Sequence, residues 1–309
     1  MIVSEKLRNH VKSHLHSIFV HGQRLGWDVL PRHFYSAIPE IHELQNSQKW
    51  RRPLAMSGVN GVDIESQMSF VRCCCPPALR ERLVLGGVYE SACRENGAAG
   101  YGRTEADFLF CFVSSKRPRK IVQIGSGVST VVIQAAAREA GYKPRIICID
   151  PFPTDYLVRE EKRGSIELIS KEAQNIEISI LTDLRSGDLL FIDSTHTTRP
   201  ASEVNLIILD VLPRLPPNCY VHFHDIFFPY DYQSNVLNTL FFWGESTLLH
   251  AFLIGNQRFL ISASLSMLHH ACPDQLGVLL PNYRPALMQE GLRVGDEGDF
   301  PTSTYLKVQ

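Results

Sequence analysis

The residues best suited to chemistry lie in three short stretches: Ile121-Val-Gln-Ile-Gly-Ser-Gly-Val-Ser-Thr130, Phe191-Ile-Asp-Ser-Thr-His196 and His222-Phe-His-Asp225. In the first, an apolar run drops into Gly125-Ser126-Gly127, where missing side chains let the backbone approach a ligand closely. The next apolar run, Ile147-Cys-Ile-Asp150, ends in an acid placed to accept ribose hydroxyls. Together these read as a nucleoside pocket; the plainer reading of the glycines is a tight turn. The dinucleotide fingerprint needs a third glycine where Thr130 stands, so the pattern points to a single nucleoside.

The other two stretches end in acids and imidazoles. Asp193 closes an otherwise apolar run, where an unpaired carboxylate would be costly. His196 follows in a polar loop with a side chain that titrates near neutrality. His224 and Asp225 end a further apolar run, while His222, inside it, reads as a core histidine. Strand alternation would put His222 and His224 on one face and Asp225 on the other. Two acids and two or three imidazoles at one rim suit proton abstraction or a divalent cation. Asp193, His196 and Asp225 are the candidate ligand set, although their spacing fits no closed structural metal site, and no metal is favoured. Tyr35 and Tyr101 could close over a ligand, and Phe227, with Phe228 and Trp243, could line an acceptor pocket. Ordinary aromatic packing is the plainer reading of each.

These stretches need an alternating sheet to bring them together, and the chain supplies one from about residue 100 onward. Strands are expected at Lys120–Ile124, Arg145–Asp150, Ile176–Leu181, Asp188–Asp193 and Cys219–Asp225. Helices fall between them at Ser129–Ala140, Asp155–Ile169 and Ala201–Leu212, and another precedes the first strand, N-capped by Thr104. Later, Glu245–Ile254 reads as helix, and Arg258–Leu265 and Ser303–Val308 as an antiparallel edge hairpin. Residues 1–99 lack this rhythm and are expected to form a helical and extended N-terminal cap on a domain spanning 100–309. The fold class is α/β, a doubly wound, mostly parallel sheet.

Composition narrows the class. The 309 residues carry a formal charge of −1, which favours neither nucleic acid nor an anionic membrane. No run approaches a membrane span, and the N-terminus lacks a signal-peptide core. Eight cysteines without CxxC spacing suit a reducing compartment, so a cytoplasmic protein is expected. A homo-oligomer is left open.

The run Ile121–Thr130, then Cys148-Ile-Asp-Pro151, Gly187-Asp-Leu-Leu-Phe-Ile-Asp-Ser-Thr-His196 and Val221-His-Phe-His-Asp-Ile226, resembles class I S-adenosylmethionine-dependent methyltransferases, closest to the methyltransferase-24 type. The resemblance spans roughly Gly100 to Leu265 and implies a seven-stranded Rossmann-like sheet, with S-adenosylmethionine as cofactor and a small molecule as methyl acceptor. It implies that Gly125, Ser126, Gly127, Ser129, Thr130, Tyr101, Asp150 and Asp193 serve the cofactor. His196, with His224 or Asp225, would act on the acceptor as a His/Asp general base, an oxygen acceptor being preferred. Tyr35 and Phe227 fall to the acceptor side. Some relatives hold Mg²⁺ through acids at the ends of the fourth and fifth strands; here His224 stands at one neighbouring position. Competing readings are S-adenosylmethionine chemistry other than methyl transfer, an NAD-linked oxidoreductase and a silent nucleoside-binding scaffold. The missing third glycine and the lack of a Tyr-x-x-x-Lys pair count against the oxidoreductase.

Overall fold

The structure, a computed structural model, describes residues 5–309. It divides into two compact units, 1–47 and 48–309. The first carries helices α1 (Glu5–Arg24) and α2 (Ile41–Asn46). No helix among the described residues is long and apolar enough to cross a membrane.

The second unit is built on a seven-stranded sheet of β1 (Lys120–Ile124), β2 (Arg145–Ile149), β3 (Glu167–Ile169), β4 (Leu189–Ile192), β5 (Tyr220–Phe223), β6 (Phe259–Ser264) and β9 (Thr304–Val308). A two-stranded ladder, β7 (Met288–Gln289) and β8 (Leu292–Arg293), stands apart. The sheet order is β3-β2-β1-β4-β5-β9-β6. β1 to β5 run parallel, and β9 is antiparallel to both β5 and β6. The expected late pair is thus present, with the last strand inserted one place in from the edge. Strand order reverses between β1 and β4, which opens the crevice where such sheets take ligands.

Alternation along each strand feeds two cores. Ile121, Leu189 and Phe191 enter one cluster, roofed by α3 (Ile64–Cys74), α4 (Pro77–Val84), α5 (Val88–Asn96), α6 (Arg103–Lys116), α7 (Val128–Glu139) and α8 (Asp155–Lys162). Val122, Leu190, Ile192, Val221 and Phe223 enter the other, covered by α9 (Ile178–Thr182), α10 (Glu203–Leu206) with the wider turn after it, and α11 (Glu245–Leu253). Helices α12 (Leu265–Ala271) and α13 (Pro273–Leu279) complete the first layer.

Packing does not break at residue 99. Met68, Val71, Cys74, Cys75, Leu83 and Ala92 all belong to the first core, so residues 48–99 share the sheet's own cluster. The strand expected at Ile176–Leu181 is a correction: β3 is Glu167–Ile169, and 178–182 form a short helix that buries Leu181. A short apolar run satisfies either period, and only the edge of β2 decides which segment pairs. The helix expected to reach Ile169 stops at Lys162, two residues before Gly164, which takes φ +66°. Thr104 is not the cap of α6; Gly102 is, and Thr104 is buried inside the first turn.

Candidate active site

The loop after β1 is shaped by its neighbour. Gly125 takes φ +76°, and a Cβ there would stand 1.7 Å from the Asp193 carbonyl oxygen. That close approach lets Asp193 N–H donate to the Ile124 carbonyl (2.9 Å) and Gly125 N–H to that of Ile149 (3.0 Å). The tips of β1, β2 and β4 are thereby tied together. Asp150 accepts from Ser126 N–H through Oδ2 (3.0 Å) and from Phe152 N–H through Oδ1 (2.8 Å). Each oxygen retains a further lone pair for a ligand hydroxyl. Between these tips lies a cleft of about 390 Å³, bordered by Gly125, Asp150, Phe152, Gln174, Asp193 and Glu203, among others. Ser129 and Thr130 lie beneath the loop rather than in the cleft. Ser129 accepts from Gln123, and Thr130 Oγ1 accepts from Gly127 N–H.

Asp193 is shared between this cleft and a cluster on its far side. Its Oδ1 is 3.2 Å from His224 Nδ1 and 3.7 Å from His196 Nε2. Asp225 Oδ2 is 3.5 Å from His196 Nε2 and 3.6 Å from His224 Nδ1. Alternation had placed Asp225 on the opposite face from His224. Asp225 instead lies just past β5 with φ +54°, and that left-handed turn swings its carboxylate into the cluster. His196 has the same conformation, φ +58°.

The outward nitrogen of each imidazole meets a buried acid. His196 Nδ1 is 2.7 Å from Glu245 Oε2, and His224 Nε2 is 3.1 Å from Glu105 Oε1. Glu105 in turn accepts from Thr302 N–H and its hydroxyl (2.9 and 3.0 Å), and the same hydroxyl lies 2.9 Å from Asp225 Oδ1. Sequence reading missed Glu105, Glu245 and Thr302. Each sits in an unremarkable helix or strand approach, far along the chain from its histidine.

Electrostatics follow from this crowding. Burial opposes charge on His224, but the carboxylates of Asp225, Asp193 and Glu105 outweigh it and raise its pKa well above the usual histidine range. Burial likewise opposes charge on His196, and Glu245 foremost, then Asp225 and Asp193, push its pKa up. Asp193 and Glu105 lie below the ordinary carboxylate range, because the His224 charge overcomes the burial of each. Burial raises the Glu245 carboxyl despite its His196 partner. His222 is the core histidine its position suggested: it stacks on Phe191 at 4.1 Å, and burial lowers its pKa well below normal.

Tyr101 supports this floor. Its hydroxyl lies 3.1 Å from His222 Nε2, and its ring centroid lies 4.9 Å from that of His224. Trp243 lies 4.6 Å from the His196 ring and stacks with Phe227, which stacks in turn with Phe300. Tyr35 belongs to the first unit, where it is 85% exposed and packs edge-on to Phe34.

Residues 122–226 match the model of a family described as a methyltransferase domain. An uncharacterized protein of Archaeoglobus fulgidus is 30% identical over 173 residues, covering 51% of this chain and 74% of that protein. The chain belongs to the class I S-adenosylmethionine-dependent methyltransferases. The matched segment of this methyltransferase runs from within β1 to three residues past β5 and contains Gly125, Asp150, Asp193, His196, His224 and Asp225. Among solved structures, a methyltransferase of Podospora anserina bound to S-adenosylhomocysteine is 16% identical, with a TM-score of 0.39, over 76% of this chain and 88% of that one. A branched-chain polyamine synthase of Thermus thermophilus is 13% identical, with a TM-score of 0.40, over 68% and 57%.

Proposed function

We propose that the protein transfers the methyl group of S-adenosylmethionine to a hydroxyl of a small-molecule acceptor. The observation that carries this reading is the position of Asp193: one side chain borders the cleft between the strand tips and also touches both histidines of the cluster. A cofactor whose ribose is held at Asp150 would point its reactive end toward Asp193, and so toward His196, His224 and Asp225. The cleft volume falls within the range of small-molecule sites.

The sulfonium methyl is already electrophilic, so the protein's task is to align cofactor and acceptor for in-line attack. The acceptor's proton is the remaining problem. The cluster of His196, His224 and Asp225, backed by Glu245 and Glu105, is the group placed to take it up, with unprotonated His196 as the working form, so turnover should rise with pH through its raised pKa. Phe227 and Trp243 supply an aromatic wall beside His196 for the acceptor to lie against. Eight unpaired cysteines support a cytoplasmic setting.

Calorimetry with S-adenosylmethionine, S-adenosylhomocysteine and NAD tests the first half: the two sulfur cofactors should bind, and binding of NAD alone would sink the reading. Turnover against a panel of hydroxylated acceptors tests the second. H196A is expected to retain cofactor affinity while losing about 10²–10⁴-fold in rate; unchanged turnover would remove the cluster from the chemistry.

A further inference from the structure

We infer that the end of the sheet remote from the cofactor cleft binds a small polyphosphate anion, held by Lys116, Arg117, Arg119, Lys120, Arg145 and Arg185. These side chains border one cavity of about 610 Å³, a size within the range of small-molecule sites. The only acids on its border are Asp183 and Asp188. In a chain of formal charge −1 that is a marked local excess of positive charge. Four of the cations come from the run Lys116-Arg-Pro-Arg-Lys120, which joins the end of α6 to the start of β1. Arg145 opens β2, and Arg185 lies in the turn before β4.

Internal partners neutralise only part of this charge. Asp188 is buried, and its oxygens are taken by backbone: Oδ1 accepts from Lys120 N–H (2.9 Å) and Oδ2 from Arg185 N–H (2.8 Å). It therefore holds two basic segments in fixed relation, as a preorganised site needs. Asp183 pairs with Lys120 Nζ at 3.2 Å, but its side chain is 74% exposed. Arg145 and Glu167 pair at 2.6 Å, each more than half exposed. Exposed pairs of this kind contribute little and yield readily to a more highly charged anion. Arg117 gives one N–H to the Ala140 carbonyl (2.7 Å), leaving most of its five donors free. The guanidinium groups of Arg119 and Arg185 have no hydrogen bond or ion pair among the described residues, and both residues are exposed.

Guanidinium forks match phosphate oxygens two at a time, and four of the six cations are arginine. The starts of β2, β1 and β4 are neighbours spanning roughly 10 Å at about 4.8 Å per strand, more than a single phosphate bridges. The basic groups gather in a concavity instead of extending along a face, which favours a compact polyanion over a nucleic-acid backbone. The same three strands carry the cofactor cleft at their other ends: Lys120 leads to Gly125, Arg145 to Asp150 and Asp188 to Asp193. At about 3.3 Å per residue the two sites lie roughly 17 Å apart. Anion and cofactor thus bind together, and the inference does not depend on the methyl-transfer reading.

The test is calorimetry on the full chain with tripolyphosphate and with ATP, each with S-adenosylhomocysteine present and absent. Expected are one tripolyphosphate per chain, an affinity that falls as salt rises, and no competition from S-adenosylhomocysteine. R119A and R185A should each weaken binding about tenfold or more with melting temperature unchanged. R72A, which removes the same charge from α3, should leave it intact. Equal affinities for tripolyphosphate and ATP would uphold the site as one for an inorganic chain; tighter ATP in the presence of S-adenosylhomocysteine would uphold it as one for a nucleotide. Absence of binding at low salt, displacement by S-adenosylhomocysteine, or an equal loss in R72A would overturn the inference. Tighter binding of a single-stranded oligonucleotide than of tripolyphosphate would overturn it as well.

Discussion

Gly125 shows how one atom can matter at the site. Its backbone lies against the Asp193 carbonyl so closely that Gly125→Ala would set a methyl into that oxygen while also holding a left-handed φ. Gly141 has a similar φ, +67°, but open space around it. Gly125→Ala should therefore lose cofactor affinity and more than about 1 kcal/mol of stability, whereas Gly141→Ala should lose stability of that order with cofactor binding intact. Calorimetry and thermal melts of the pair check this. The neighbours His269, buried, and His270, half-buried, carry a second residue-scale effect. Burial holds both imidazoles down to about 4, below the unfolded value of about 6.5. They are neutral in the fold, so their stability contribution is complete above the unfolded value and is lost as pH falls from about 6.5 toward 4. Each should cost roughly 2 kcal/mol by pH 5. His270→Leu should flatten the melting-temperature profile over that window by about the share of one histidine, and an unchanged slope would contradict the assignment.

At the scale of elements, β9 joins distant parts of the second unit. It fills the gap between β5 and β6, pairing with both, and the residues just before it, Thr302 and Ser303, reach Glu105, Asp225 and His222. Removing residues 304–309 would expose two facing strand edges in the middle of a buried sheet. Loss of the cooperative thermal transition is expected, read by calorimetry and near-ultraviolet circular dichroism. A truncated chain that still melts sharply would show that β5 and β6 close up without it. The same element explains why Glu105 escaped sequence reading. An acid inside an apolar helix carries no mark of its partner until the C-terminal strand delivers Thr302 to it.

For the molecule as a whole, both hydrophobic clusters draw their buried members from residues 56–308. A chain comprising 48–309 should therefore fold alone and bind S-adenosylmethionine with the affinity of the full chain, because every residue bordering the cleft lies between 124 and 203. Failure of that fragment to melt cooperatively would place part of the core's stability in residues 1–47. The parallel alternation, the glycine turn, Asp150 and the Asp193–His196 and His224–Asp225 tips were legible from order along the chain. Short continuous apolar runs punctuated by glycine and acid mark strand, turn and rim locally. What only the tertiary structure decided was partnership: which segment became β3, where β9 entered, and how Asp225 came to face His224. Sequence distance carries no information about such pairings, since Glu245 lies 49 residues from His196 and Thr302 lies 197 from Glu105. The two left-handed turns that aim His196 and Asp225 are likewise held by the surrounding fold, because neither residue type requires that conformation by itself.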